Sequence, residues 1–452
     1  MKSDTTKINY GRIGFHYYPD MDHYKNSDLN QWLPELKALG ANWLSVKASL
    51  DRAIPEAFVT GLVNEGIYPI LYFNLQIDSK IDINSLELLL QSYKKWGIKH
   101  ISLFDKPNMH GQWGSSSWTQ KGLVDRFLDI FLPLANLIYS NGLTPIFPPL
   151  EPSGDYWDTA FLRAALTGIK SRGNTQLLNN MVLGAYAWAG NQPFGWGAGG
   201  PERWVGARPY FTPHGEENHL GFRIFDWYNA ISEAVLNKKL PILLVACGSN
   251  IGDEQNEQLP AVDEISHNFR NLQLARFLSN EHEAMRDGAT FEPIPDNILA
   301  ACFWVLATSE DHPEQKNAWY RSNGTTLPVV QSFQSRVASQ GSNPGLRKQD
   351  KTINTKPPKQ KCVENISHYL LLPNLGEKTT DWNINTLLPF INKYHPTVGY
   401  SYKEASQASR VTMIGDEQSF SKDFEDQLRN KGCQVHRIIG NGTSIATQLE
   451  TI

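Results

Sequence analysis

Acidic side chains and one lysine follow apolar, strand-like segments of the sequence. The residues concerned are Asp105, Lys106, Glu151, Asp155 and Asp253. Pairs of carboxylates can supply a general acid together with a base or nucleophile, which is the chemistry that hydrolyses a glycosidic bond. We therefore take the four carboxylates as candidates for catalysis. The lysine is interpreted first as the partner of a nearby carboxylate, because Asp105 precedes it directly.

Aromatic residues are abundant, with 13 Trp, 17 Tyr and 20 Phe. Aromatic rings stack on the C–H faces of sugars, while amide and carboxylate groups bind sugar hydroxyls. The residues predicted to bind a ligand share a position at or shortly after a strand-like segment. They are His16, Tyr18, Asn108, Trp113, Trp157, Tyr186, Trp188, Asn250 and Trp304.

Eight short apolar segments alternate with helical patterns through the first three quarters of the chain. Most are continuous apolar runs, which is typical of parallel strands covered on both faces. They span 12–18, 42–48, 68–74, 100–105, 144–149, 181–188, 241–247 and 300–308. Gly40, Gly66, Gly97 and Gly142 stand where a helix should end before the next strand. The pattern predicts a (β/α)8 barrel, in which functional residues gather at the C-terminal ends of the strands.

Residues 10–336 resemble the retaining (β/α)8 glycoside hydrolases of the cellulase and β-glycosidase type. The resemblance is carried by the segments GFHYYPD, FDKPNMHGQW, PPLEPSGDYWD and LPILLVACGSN. It implies Asn-Glu-Pro-Asn after strand four, with Glu as the general acid/base, and a second Glu at the end of strand seven as the nucleophile. Such a pair lies about 5 Å apart.

The sequence departs from the family pattern at both catalytic positions. Lys106 stands at the acid/base position and Ala246 at the nucleophile position. An ammonium group cannot replace the carboxylic acid, and a methyl group cannot attack the sugar. We therefore expect a barrel that binds a glycan but has lost the retaining mechanism.

Two alternatives stay open. In the first, the protein is an active glycosidase that uses other rim carboxylates, namely Asp105, Glu151, Asp155 or Asp253. In the second, the barrel is a scaffold in a structural or assembly protein. Two close carboxylates in the cleft would favour the enzyme, whereas exposed apolar patches away from it would favour assembly.

The chain divides at a basic segment rich in Pro, Gly and Lys. We predict a barrel over 1–336, a flexible linker over 337–361 and a small Rossmann-like α/β domain over 362–452. The end of this domain weakly resembles bacterial cell-wall-binding repeats, which implies attachment to the cell envelope or self-assembly. Its segment VTMIGD lacks the GxGxxG pattern, so no nucleotide site is predicted.

Composition excludes several other classes of protein. With 42 Lys plus Arg and 46 Asp plus Glu, the net charge of −4 argues against bulk nucleic-acid binding. The four cysteines form no CxxC, and no cofactor or metal site is predicted. We see no signal peptide and no membrane span. Location is therefore cytoplasmic by sequence, but extracellular or on the cell surface by analogy with the family.

Overall fold

The computed structural model describes residues 11–208, 211–252, 261–281, 292–341, 366–373, 384–394, 396–399, 402–406, 408–417 and 419–450. The chain forms two compact units, Met1–Arg347 and Lys348–Ile452. Each unit is described by itself below.

The first unit is a closed barrel of eight parallel strands, in which each strand pairs with its neighbours in sequence and β1 pairs with β8. The strands are β1 (Ile13–His16), β2 (Trp43–Lys47), β3 (Tyr68–Tyr72), β4 (His100–Ser102), β5 (Thr144–Phe147), β6 (Val182–Trp188), β7 (Ile242–Gly248) and β8 (Ile298–Phe303). All eight coincide with the predicted segments, and the predicted (β/α)8 fold is confirmed.

Helices cover the outside of the barrel and connect its strands. The described helices of this unit are α1 (Asn26–Ala38), α2 (Glu56–Asn64), α3 (Ile83–Lys95), α4 (Ser115–Trp118), α5 (Leu123–Ser140), α6 (Asp158–Ser171), α7 (Thr175–Asn180), α8 (Gly200–Arg203), α9 (Ile224–Leu236), α10 (Glu264–Leu278) and α11 (Pro328–Gly341). Gly40 and Gly142, which follow α1 and α5, have φ angles of 74° and 73°. Glycine adopts this left-handed conformation without the Cβ clash of other residues, so the chain can turn from helix into strand.

The barrel has two apolar layers. The inner layer is formed by strand residues that point into the barrel: Trp43, Ile70, Ile146, Val182, Leu243, Val245, Ala300 and Cys302. The larger outer layer lies between strands and helices. Cys247 belongs to the outer layer and Cys302 to the inner one, and both are free thiols. Their side chains therefore occupy opposite faces of neighbouring strands.

Helix α11 continues beyond Arg336, the predicted end of the barrel, to Gly341. Arg336 lies inside this helix and its Nε is 2.7 Å from Glu281 Oε1. Most of the predicted linker, from 342 to 361, lies outside the described residues. The boundaries 1–336, 337–361 and 362–452 stay predictions.

The second unit is a small α/β layer structure, as predicted. Its four parallel strands have the order β10–β9–β11–β12. The strands are β9 (Ile366–Leu371), β10 (Thr397–Gly399), β11 (Ala408–Ile414) and β12 (Gln434–Ile438), and the helices are α12 (Ile384–Tyr394), α13 (Tyr402–Ala405), α14 (Lys422–Asn430) and α15 (Gly442–Glu450). An apolar cluster lies on each face of this sheet.

Among the described residues, no helix has the length and apolar character required to cross a membrane.

Two buried histidines of the barrel have pKa values below the ordinary range. His267 on α10 is fully buried, and neither of its ring nitrogens has a hydrogen-bond partner. His100 on β4 packs against Trp43 with ring centroids 5.5 Å apart. Burial disfavours the charged imidazolium and lowers the pKa of each to about 4.

We therefore predict that the barrel loses stability as the pH falls from about 6.5 to about 4. In this range the unfolded state binds protons that the native state does not, so each histidine lowers the free energy of unfolding by about 1.4 kcal/mol per pH unit. Urea denaturation at pH 7, 6 and 5, followed by tryptophan fluorescence, measures the slope. The variant His267→Leu should flatten it, whereas the exposed control His214→Leu should not. Equal slopes in all three proteins would contradict the prediction.

Candidate functional site

The end of β4 places Asp105 and Lys106 at the C-terminal mouth of the barrel. Lys106 has a φ of 46°, and its N–H donates to the carbonyl of Pro149 at 2.9 Å, which ties the loop after β4 to the loop after β5. Its Nζ lies 2.6 Å from Glu151 Oε2, and the two side chains are 33% and 31% exposed. The same ammonium lies 4.8 Å from the centroid of the Tyr186 ring. The charge of Lys106 is therefore shared between a carboxylate and an aromatic face.

Asp105 has a different partner. Its Oδ1 accepts a hydrogen bond from the hydroxyl of Tyr186 at 2.6 Å. Burial raises the pKa of Asp105, because the ionised carboxylate loses its hydration, while the charge of Lys106 and the Tyr186 hydroxyl act in the opposite direction. Asp105 is thus held by β6, whereas Lys106 contacts both the Tyr186 ring of β6 and Glu151 in the loop after β5.

Asn108 braces the loops after β4 and β5. Its side-chain NH2 donates to the carbonyls of Glu151 at 2.8 Å and Tyr156 at 3.0 Å, and its Oδ1 accepts from the Glu151 N–H at 2.9 Å. The side chain is fully buried. An amide side chain can donate two hydrogen bonds and accept two, and these contacts use three of the four. A contact between this amide and a ligand, as the sequence predicts, would require some of them to break.

Trp113 also holds the loop after β4 in place. It is buried, its indole N–H donates to the carbonyl of Pro107 at 2.8 Å, and the Arg126 guanidinium lies 5.2 Å from its ring centroid. These contacts anchor the end of the same loop against α5.

Four of the predicted ligand-binding residues form a connected aromatic group, which we call the mouth cluster: His16, Tyr186, Trp188 and Trp304. Tyr186 and Trp188 are stacked, with centroids 5.9 Å apart and an interplanar angle of 9°. Trp304 meets Trp188 edge-on at 6.2 Å and packs against His16 at 4.5 Å. Burial lowers the pKa of His16 to about 3, so this ring is neutral at physiological pH. The indoles of Trp188 and Trp304 are half-buried.

Ala246 reaches the level of the mouth cluster because β7 contains an irregularity. Leu244 pairs with Ala185 of β6, but the next pair is Tyr186 with Ala246, so Val245 is the extra residue. Paired residues of parallel strands share a face, so the extra residue puts Ala246 on the inward face beside Tyr186. Ala246 is fully buried. A methyl group therefore faces inward at this point of β7.

The other predicted residues lie in surrounding loops. Tyr18 stacks on His23 at 3.7 Å, and Trp157 meets His219 edge-on at 4.9 Å. Asn250 is half-buried after β7, and its carbonyl accepts from the Val262 N–H at 2.9 Å.

Asp155 and Asp253 are the remaining candidate carboxylates. Asp155 is exposed and its Oδ2 accepts from the His110 N–H at 2.8 Å. Asp253 lies outside the described residues. Among the residues that the structure describes, no group of three or more His, Cys, Asp or Glu side chains is arranged to hold a metal ion.

Sequence analysis missed Glu314. It lies on a short 3-10 helix, Pro313–Asn317, and its Oε2 accepts from the indole N–H of Trp304 at 2.9 Å. The only sequence signal was an acidic residue in the loop after strand eight. Nothing in its type or spacing distinguishes it from Glu310, which is exposed in the same loop.

No protein-family model matches the chain, and no curated protein matches it. Solved structures with a similar fold include a family 39 glycoside hydrolase from the gut symbiont Bacteroides cellulosilyticus WH2, with 14% identity and a TM-score of 0.45 over 74% of this chain and 64% of that one. An uncultured Clostridium sp. β-glucuronidase aligns with 14% identity and a TM-score of 0.39 over 73% of this chain and 50% of that one.

Gas2p of Saccharomyces cerevisiae, solved with laminaritetraose and laminaripentaose, aligns with 10% identity and a TM-score of 0.43 over 74% of this chain and 65% of that one. The chain thus spans between half and two thirds of the length of these structures. The barrel assignment rests on the closed ring of strands itself. Glycoside hydrolases are among the proteins to which that barrel is similar.

We predict that Asn108→Ala destabilises the barrel much more than Lys106→Met. The alanine variant loses three buried hydrogen bonds and leaves backbone groups of Glu151 and Tyr156 unpaired, which should cost about 2–4 kcal/mol. The Lys106–Glu151 pair is one-third exposed, so breaking it should change the free energy of unfolding by less than about 1 kcal/mol. Urea denaturation at pH 7 compares the two variants. Equal losses would contradict the prediction, because the ion pair would then stabilise the loops as much as Asn108 does.

Proposed function

We propose that the mouth of the barrel binds an oligosaccharide and does not hydrolyse it by the retaining mechanism. The observation that carries this proposal is the ion pair between Lys106 Nζ and Glu151 Oε2 at 2.6 Å. It lies where the resemblance implies the general acid/base, so that position holds an ammonium group whose charge is already compensated.

The nucleophile position supports the same conclusion. A retaining glycosidase needs a second carboxylate about 5 Å from the first, aimed at the anomeric carbon. Ala246 offers only a methyl group there, and it is fully buried against the strand-six side of the barrel. The covalent intermediate has no group on which to form at this position.

Glycan binding is supported by the mouth cluster. Trp188 and Trp304 are half-buried and meet edge-on, so their ring faces point in different directions. Such faces suit the flat C–H surfaces of sugar rings, and the nearby carboxylates of Asp105 and Glu151 suit their hydroxyls. Gas2p was solved with laminari-oligosaccharides, and we extend the same class of ligand to this chain as part of the proposal.

An active glycosidase is the second candidate, and one observation favours it. Burial raises the pKa of Asp105, and a general acid must hold its proton near neutral pH. In an inverting reaction a second carboxylate would activate water on the opposite side of the sugar. To act as this general base, Glu151 would have to break its ion pair with Lys106. If the protein neither binds nor hydrolyses a glycan, the third alternative applies, in which the barrel is a scaffold.

The first prediction for function concerns catalysis. The unmodified protein should hydrolyse no aryl β-glycoside with retention of configuration, and 2-deoxy-2-fluoro glycosyl fluorides should label no residue, because both require a carboxylate nucleophile. The double variant Lys106→Glu with Ala246→Glu should gain trace hydrolysis, while the matched control Lys106→Gln with Ala246→Gln should not. Labelling of the unmodified protein would refute the loss of the retaining mechanism. Hydrolysis with inversion, abolished by Asp105→Asn, would establish the second candidate.

The second prediction concerns binding. An oligosaccharide of β-linked glucose should change the tryptophan fluorescence, and Trp304→Ala should weaken binding by about 1–3 kcal/mol, the usual scale for a stacking aromatic. Trp96→Ala is the control, because Trp96 follows α3 at the opposite end of the barrel. Titrations with cellopentaose and laminaripentaose measure both variants. Identical affinities for Trp304→Ala and the unmodified protein would contradict stacking on this indole.

A further inference from the structure

The indole of Trp304 is held by a carboxylate that sequence analysis did not select. Glu314 Oε2 accepts two hydrogen bonds, one from Trp304 Nε1 at 2.9 Å and one from Asn317 Nδ2 at 2.7 Å. The backbone of Glu314 is fixed in turn, because its N–H donates to His312 Nδ1 at 3.1 Å. Hydrogen bonds to an ionised carboxylate are shorter and stronger than neutral ones, so this contact favours one orientation of the indole.

Asn317 connects this arrangement to the loop after β7. Its Oδ1 accepts from the backbone N–H of Ile251 at 2.7 Å, while its NH2 group donates to Glu314. The side chain is buried, with 3% of its surface exposed. A chain of three hydrogen bonds therefore runs from the strand-seven loop through Asn317 and Glu314 to Trp304.

The rest of Trp304 is restrained by packing. Its ring lies against His16 at 4.5 Å and edge-on to Trp188 at 6.2 Å, and its carbonyl accepts from the indole N–H of Trp319 at 3.1 Å. In the observed orientation the ring nitrogen donates to Glu314, and turning the indole over about its Cβ–Cγ bond would break this hydrogen bond.

We propose that Glu314 is a positioning residue for glycan binding, because it fixes the orientation of the Trp304 indole and links it through Asn317 to the strand-seven loop. This inference rests on the proposed function and specifies how one part of that site is held. A pre-organised aromatic face loses less conformational entropy when a ligand binds, so its fixation contributes to affinity without a direct contact.

The test compares Glu314→Ala, Glu314→Gln and the control Glu310→Ala, which removes an exposed carboxylate from the same loop. Affinities for laminaripentaose and cellopentaose are measured by fluorescence titration. Glu314→Ala should weaken binding about 5- to 20-fold, less than the direct loss of a charge-assisted hydrogen bond, because Glu314 acts on the ligand only through the indole. Glu314→Gln, which keeps the acceptor oxygen, should stay within about 3-fold of the unmodified protein, and Glu310→Ala should have no effect.

A second measurement needs no ligand. Fluorine NMR of protein labelled with 5-fluorotryptophan shows the Trp304 resonance, assigned with Trp304→Phe. This resonance should be single in the unmodified protein and in Glu314→Gln, and should split or broaden in Glu314→Ala. An unchanged resonance in Glu314→Ala would overturn the proposal. Equal weakening of binding by Glu314→Gln and Glu314→Ala would also overturn it, because Glu314 would then act on the ligand through its charge.

A double-mutant cycle covers the case in which Glu314→Ala does not fold. The cycle uses Glu314→Met, which keeps the size of the side chain and removes the acceptor: it should weaken binding in the unmodified background and have no further effect in the Trp304→Phe background, which lacks the indole N–H. An equal weakening by Glu314→Met in both backgrounds would overturn the proposal. If the unmodified protein binds neither oligosaccharide, the proposed function fails, while the fluorine spectra still decide whether Glu314 fixes the indole.

Discussion

Pairing of β1 with β8 is the constraint on which the rest of the barrel depends. The ladder aligns Phe15 with Phe303, so the next residues, His16 and Trp304, meet at the mouth although they come from opposite ends of the unit. Because all strands are parallel, the same closure collects the ends of β4, β6 and β7 around one opening. The mouth cluster exists only because the ring is closed.

Within that opening, the charges of Lys106, Asp105 and Glu314 are each compensated by a neighbouring side chain. Lys106 faces Glu151, Asp105 accepts from Tyr186, and Glu314 accepts from Trp304. Partly buried charges are costly unless they are compensated in this way.

The irregularity in β7 decides which residue of that strand faces inward at the level of Tyr186. The extra residue Val245 is accommodated in the inner layer, and Ala246 then pairs with Tyr186 on the inward face. An alanine fits there without a charge to solvate, and its neighbours close around it. Trp188 and Trp304 stay half-buried at the mouth. In the proposed function, binding is separate from hydrolysis, since stacking needs only the rings.

The sequence by itself determined the fold of both units. Apolar runs, most of them continuous, marked all eight barrel strands, and glycines such as Gly40 and Gly142 marked the ends of helices, because these signals are local and depend on backbone conformation and burial. It also identified Trp188 and Trp304 as mouth residues, since the ends of parallel strands must lie on one side of the barrel.

Only the tertiary structure decided which side chains interact there. In the folded protein Lys106 pairs with Glu151, and Asp105 accepts a hydrogen bond from Tyr186. Asn108 connects two loops, and Glu314 accepts a hydrogen bond from Trp304. These contacts join residues distant in sequence, or, for Glu314, depend on the direction of a loop. Residue type and spacing do not contain that information, because a side chain's partner is set by register, by bulges and by the packing of neighbouring loops.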